Sequence, residues 1–146
     1  MNKRVIQDAL LGELIWNELT DTWEGYFEIS PAIKTYCAFY LGEEPDFWEN
    51  NRQRYLNMLD LIKRDEEKIR RYAAEEMIDS YNDNWREEDD PIVDIPTLME
   101  DIAEINGIIL YEEGNAQIFY ESGDYFAYHA IIVELDANGE CVRVTL

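Results

Sequence analysis

The sequence predicts an α+β fold: an N-terminal β-meander, a central helical segment and a C-terminal four-stranded antiparallel meander. Three observations predict it. Apolar residues alternate with period 2 through much of residues 1–42. A run from Asp46 to Trp85 lacks Gly and Pro and repeats apolar residues at helical spacing. The turn signals Glu113-Gly114-Asn115, Ser122-Gly123-Asp124 and Asn138-Gly139 divide residues 107–146 into short strands. At 146 residues the chain has the length of one domain, taking roughly 150 residues per domain, so residues 1–146 are read as a single unit. A hydrophobic content of 47% is enough for a packed core and argues against disorder.

In the first segment, Leu14 and Trp16 alternate with Ile15, and Thr20-Asp21 offers a turn. Trp23, Gly25, Phe27 and Ile29 follow until Ser30-Pro31. Ile33, Thr35, Cys37, Phe39 and Leu41 then share one face, and Gly42 stops the strand. About three strands are expected here.

The helical segment spans 46–85. Asp46, three residues before Glu49, resembles a capping box, with Phe47, Tyr55, Met58, Leu59 and Ile62 on one stripe. Ile69, Tyr72, Ala73 and Met77 form a second pattern. Asp65 would cap it and break the run near Arg64, and one bent helix is the alternative. Residues 86–96 form an acidic connector with two prolines. A short helix is expected over 97–105, its stripe made by Leu98, Ile102 and Ile105 and its N-cap supplied by Asp94 or Thr97.

Strands are then expected at 108–111, at 116–121 and, longer, at 125–136. Asn138-Gly139 is the strongest hairpin signal in the chain and leads into 140–146. Periodicity leaves open whether the two meanders form one sheet or two.

Charge is the most informative feature. The chain has 33 acids against 12 bases, a net charge of -21. This excludes binding to nucleic acid by phosphate neutralisation and disfavours anionic membrane surfaces. The excess is uneven. Residues 1–71 hold 14 acids and 10 bases, whereas 72–146 hold 19 acids and only Arg86 and Arg143. On the helical run, Asp60, Glu66 and Glu67 can pair with Arg64, Arg70 and Arg71 at i,i+4. Downstream, Glu75, Glu76, Asp79, Asp83, Glu87, Glu88, Asp89, Asp90 and Asp94 face one nearby base, Arg86. One reading is that these acids keep the protein soluble. The other is that they form a surface for a basic partner, because uncompensated charge of one sign costs stability but steers an opposite partner.

Other chemistry is sparse. Cys37 and Cys141 are too few for a disulfide framework and read as reduced thiols in strands, which suits a cytoplasmic protein. Gln7, Asp8 and Glu13 interrupt any signal-peptide core, and no stretch approaches the ~20 apolar residues of a membrane span. One His and two dispersed Cys give no zinc spacing, and Asp136-Ala137-Asn138-Gly139 fits a hairpin turn better than a calcium loop. No glycine-rich phosphate loop is present. No metal, cofactor or catalytic residue is therefore expected. His129 reads as a histidine at the rim of a sheet, sharing a strand face with Ile131 and Val133. The alternative is a small-molecule or enzymatic cleft near His129, Tyr128 and Trp85.

Several stretches carry a resemblance. They are Ala73-Ala74-Glu75-Glu76-Met77-Ile78-Asp79-Ser80-Tyr81-Asn82-Asp83-Asn84-Trp85, the acidic linker with its Pro96-Thr97-Leu98-Met99 helix, Ile109-Leu110-Tyr111-Glu112-Glu113-Gly114, Ile118-Phe119-Tyr120, and Gly123 to Val133. Their order resembles a bacterial family known as domain of unknown function 2262, mainly over residues 65–145. The family's penultimate strand carries an aromatic-aromatic-Gly-His step, and here Ala127-Tyr128 stand where the second aromatic and the Gly would be. The resemblance implies a bacterial α+β domain, assigns no chemistry, and favours Asn82, Trp85 and His129 as a structural signature.

The resulting expectation is a non-enzymatic acidic interaction module. It would act as an inhibitor or immunity-type protein that masks a basic partner, such as a nuclease or another nucleic-acid-binding protein, by physics that includes DNA mimicry.

Overall fold

The computed structural model describes residues 4–146, and the α+β class holds. Eight strands form one sheet in chain order: β1 (Val5–Asp8), β2 (Gly12–Asn17), β3 (Thr22–Ser30), β4 (Ile33–Phe39), β5 (Ile105–Leu110), β6 (Ala116–Tyr120), β7 (Ile131–Leu135) and β8 (Cys141–Thr145). Neighbours are antiparallel except β4 and β5, which run parallel with Cys37 opposite Ile108 and Phe39 opposite Leu110. The two meanders thus share one sheet, joined at its centre. A parallel pair needs a crossover connection, and the helical segment supplies it.

The N-terminal part has four strands rather than about three. The additional one, β1, is only four residues long. Its turn into β2 is held by Asp8, whose carboxylate accepts from the Leu10 and Leu11 amides at 3.0 Å each.

The expected break near Arg64 is absent. One helix, α1, runs from Pro45 to Ser80, 36 residues and about 54 Å long. Trp48, Tyr55, Leu59, Ile62, Ile69, Ala73 and Met77 are buried along its whole length. Continuous burial without Gly or Pro favours propagation over a new cap. Asp65 does not cap; it pairs with Arg64 at 3.0 Å. The expected capping box is also absent, because Glu44 is the N-cap, makes no side-chain cap bond and is followed by Pro at the first helical position. Of the three i,i+4 pairs expected, the one recorded among the described residues is Glu66–Arg70, at 3.1 Å. The Tyr120 hydroxyl donates to the same Glu66 carboxylate, and Arg70 donates to the Met99 carbonyl, which ties α1 to β6 and to the helix that follows.

α1 lies across one face of the sheet. Its aromatic end meets β4, with the Phe39 ring edge-on to Trp48 at 4.9 Å and to Tyr55 at 5.4 Å. Trp23, Cys37, Ile108, Ile118, Tyr120, Ile131 and Val133 complete the core from the sheet side. Both cysteines are free, Cys37 buried and Cys141 half-buried. No helix among the described residues is long and apolar enough to cross a membrane.

The short helix, α2, spans Ile95–Asp101, two residues earlier at its start and four at its end than expected. Asp94 caps it, accepting from the Thr97 amide at 2.9 Å. The larger correction concerns 125–130, where a strand was expected. Only Ile131–Leu135 is strand, and the preceding residues form a looped turn. Ala127 and Tyr128 have φ of 51° and 65°, in the left-handed region that strands never use. The buried Phe126 anchors the loop. His129 donates its amide to the Phe126 carbonyl, and the Ser122 hydroxyl donates to the His129 carbonyl.

Candidate functional site

The C-terminal end of α1, the connector and the loop between β6 and β7 meet at one end of the molecule. Beyond Ser80 the helix widens into a π-helical turn, Tyr81–Trp85, closed by the Arg86 amide bonding the Tyr81 carbonyl at 2.8 Å. Such turns are uncommon and often mark functional positions. This one carries Tyr81 inward, edge-on to Tyr125 at 4.7 Å and to Phe126 at 5.9 Å.

All nine acids singled out in the sequence are exposed. Glu75 and Glu76 lie four and three residues before Asp79, and Asp83 follows four residues later, so the four neighbour one another along one side of the helix. Glu87, Glu88, Asp89 and Asp90 continue the acidic run along the connector. None of the nine takes part in an ion pair among the described residues. Asp94 is engaged as the cap of α2, and the Thr97 hydrogen bonds hold its carboxyl below the usual range. Arg86, the one base in the segment, does not neutralise the carboxylates by pairing. Its guanidinium donates instead to backbone carbonyls of the connector, to Asp90 at 2.6 Å and Glu87 at 3.3 Å.

The connector is held in place. The Asn82 side chain donates to the Val93 carbonyl at 3.0 Å and accepts from the Val93 amide at 3.1 Å. Asn82 therefore closes the connector into a loop against the π-helical turn. Trp85 and His129 also have a packing role: Trp85 lies edge-on to Phe126 at 5.6 Å and to His129 at 6.3 Å.

His129 is exposed, Trp85 is 39% exposed and Tyr128 is 77% exposed. Trp85 and His129 touch, but the cavity at this end is lined by other residues. It measures about 450 Å³ and is walled by Tyr81, Asp90, Asp101, Gly123, Asp124 and Tyr125, among others. Sequence reasoning noted Ser122-Gly123-Asp124 only as a turn and Tyr81 only as a helix position. Asp101 and Tyr125 carried no signal of their own. The Tyr125 hydroxyl donates to the Asp101 carboxylate, and burial together with that carboxylate pushes its pKa up. Burial, then the charges of Asp90 and Asp124, also raise the Tyr81 hydroxyl, against an opposing contribution from Arg86.

Among the described residues, no three His, Cys, Asp or Glu side chains converge in an arrangement that would hold a metal ion. Cys141 is half-buried and free; burial raises its thiol pKa, opposed by the charge of Lys68 on α1.

A family model described as an uncharacterized protein conserved in bacteria (DUF2262) matches residues 8–146, which extends the resemblance through the N-terminal strands. Neither the curated proteins nor the solved structures contain a match to the chain.

Proposed function

We propose that this chain, which belongs to the bacterial family DUF2262, is an acidic interaction module that docks on a basic protein surface. The observation that carries the reading is the set of exposed carboxylates from Glu75 to Asp94, which have no ion-pair partner among the described residues while Arg86 is turned onto the backbone. A partner that binds nucleic acid, a nuclease included, presents the complementary surface. Covering that surface would inhibit it, as an immunity-type protein or a DNA mimic does.

The physics gives the test. Attraction between exposed charges is screened as the Debye length falls from ~10 Å at 0.1 M salt to ~3 Å at 1 M. Steering acts mainly on association. The partner is isolated by affinity capture from the source bacterium at low salt, identified, and its kinetics measured against ionic strength. Association should slow steeply with salt while dissociation changes less. Replacing Glu87, Glu88 and Asp89 by Ser should slow association at low salt and leave the fold intact, because all three residues are exposed and their carboxylates hold no ion pair among the described residues. A salt-independent on-rate, an on-rate unchanged in the triple variant, or capture of no basic partner would leave the acids as a solubility device.

A further inference from the structure

α1 lies across one face of the eight-stranded sheet, and neither of the described helices packs on the other. That second face is built by the residues of opposite parity on each strand, and its middle is aromatic. The register sets Tyr26 beside Tyr36, Gly107 beside Phe119 and Phe119 beside Ile132. The Tyr36 ring lies over Gly107, where a Cβ would meet it at 3.2 Å, so aromatic cover runs unbroken from β3 to β6. Tyr26 is 56% exposed, and Tyr36, Phe119 and Ile132 are half-buried. Toward one margin Tyr40 stacks on Tyr111, with ring centroids 5.1 Å apart.

A second, independent observation concerns the polar groups of the same face, which are satisfied from within it. The Tyr111 hydroxyl donates to the Gln117 side chain at 2.6 Å, the Gln117 amide donates to Glu134 at 3.0 Å, and Arg143 pairs with Glu134 at 2.7 Å. The Asn17 side chain donates to Glu24 at 2.6 Å. Strand residues of this parity include four acids, Glu13, Glu24, Glu28 and Glu134, against two bases, Lys34 and Arg143, so the face holds -2 of the net -21. A face rich in aromatics, depleted of net charge and internally hydrogen-bonded has the make-up of a surface that is desolvated against another protein. The carboxylates from Glu75 to Asp94 have the opposite make-up.

We propose that this face packs against the same face of a second copy of the chain, forming a two-fold dimer with the sheets stacked and the helices outside. Eight strands at about 4.8 Å spacing make a sheet about 38 Å wide, and strands averaging about six residues make it about 19 Å tall. Its footprint is roughly 700 Å², or about 1,400 Å² for two copies, which is inside the range of about 1,200–2,000 Å² for specific interfaces. Aligned packing at about -30° accommodates the twist of both sheets. Charge selects the occupant. Two chains that each carry -21 repel, and this stacking directs the α1 acids of both copies outward. With sheets about 10 Å apart and a helix layer beyond each, those acids stand more than about 20 Å from their counterparts, past the Debye length of about 8 Å at physiological salt. A basic protein finds little net charge on this face. A single strand of nucleic acid stacked on the rings needs a basic groove, and here Arg143 is paired and Lys34 stands alone.

The test is sedimentation equilibrium of the intact chain from about 5 to 500 µM, at 0.05 and 0.5 M salt. A monomer–dimer equilibrium in the micromolar range is expected, and it should tighten several-fold at the higher salt as repulsion is screened. Tyr26→Glu should weaken the dimer at least ten-fold with an unchanged far-UV spectrum. Leu19→Glu adds the same charge at a residue that is 96% exposed on the β2–β3 turn, outside the face, and should leave the dimer within two-fold. Amide shifts on dilution should fall on Tyr26, Tyr36, Phe119 and Ile132 and spare residues 86–94. A chain that stays monomeric at 500 µM in 0.5 M salt, a dimer that loosens as salt rises, equal effects of Tyr26→Glu and Leu19→Glu, or shifts confined to another surface would overturn the proposal. The dimer and the docking function carry opposite salt dependences and use different faces, so either can fail while the other stands.

Discussion

Asp8 is the one carboxylate in the buried polar set of the described residues, and replacing it by Asn should remove a measurable and pH-dependent part of the stability. Its side chain is 2% exposed. One oxygen accepts from the Trp48 indole at 3.2 Å and from Arg52 Nε at 2.6 Å. The other accepts from the Leu10 and Leu11 amides and from Arg52 Nη2 at 3.3 Å. Burial alone would raise its pKa; the Arg52 pair and the N–H donors outweigh burial and bring it from 3.8 to about 2. One pKa unit corresponds to about 1.4 kcal/mol, so ionisation of Asp8 contributes roughly 2 kcal/mol at neutral pH. Because the folded pKa is depressed, that contribution is complete above the unfolded value and is lost as pH falls from about 4 toward 2. Asp8→Asn also leaves Arg52 unpaired and one donor facing an amide nitrogen, so the loss at pH 7 should reach about 2–4 kcal/mol. Acidification also relieves the repulsion among the other carboxylates in both proteins, so neither pH curve alone is diagnostic. The difference between the two proteins isolates Asp8. Urea unfolding followed by tryptophan fluorescence in pH steps from 7 to 2 should show that difference shrinking by about 2 kcal/mol below pH 4. A gap that stays constant to pH 2, or one under about 0.5 kcal/mol at pH 7, would refute the role assigned to the ion pair.

Three further outcomes are expected. Gly25→Ala places a Cβ 2.4 Å from a methyl of the fully buried Leu14, so the thermal midpoint should fall by the equivalent of about 1–3 kcal/mol; an unchanged midpoint would mean that the Leu14 packing can yield. Asn82→Ala removes both bonds to Val93 and should cost about 1–3 kcal/mol, with faster amide exchange in the connector than in the sheet; exchange unchanged there would show that the connector is held by something else. Burial pushes the Cys37 thiol up to about 12, so at pH 8 a disulfide reagent should label Cys141 in the native protein and reach Cys37 only in urea; early labelling of Cys37 would contradict its burial.

What the sequence made legible was local. Asn138-Gly139 specifies its turn through its own backbone, and Gly139 takes φ of 84° with the Asp136 carboxylate accepting from the Asn138 and Glu140 amides. α1 was legible because its apolar stripe repeats without a Gly or Pro. The parallel contact of β4 with β5 was not, because Cys37 and Ile108 carry no mark of each other across the helical segment. The loop at 125–130 misled because Phe126 to Val133 alternates like a strand, while the left-handed φ of Ala127 and Tyr128 leaves no trace in hydropathy. The acidic surface was visible as composition, which survives any fold. The cavity was not, since Tyr81, Asp101 and the pair Asp124-Tyr125 come from three separate segments that only the finished topology brings together.

The order of the acidic connector bears on the choice between a solubility device and a docking surface. Charge opposes aggregation equally well on a disordered segment, and fixing a residue's backbone costs roughly 1–2 kcal/mol of conformational entropy. A segment needed only for solubility therefore gains nothing from being tied down. Here it is tied at several points. Asn82 grips Val93 from both sides, Arg86 crosses under the loop to the carbonyls of Glu87 and Asp90, and Asp94 starts α2. Using the segment's one arginine as a backbone brace keeps the carboxylates free of internal partners and fixes where they point. Association pays for any ordering of the surface at the moment of binding, so a preordered charged surface gives up less of its interaction energy. The bracing by Arg86 is thus a specific expense that the docking function explains and the solubility reading does not. If Arg86→Gln left connector amide exchange unchanged, this distinction would disappear.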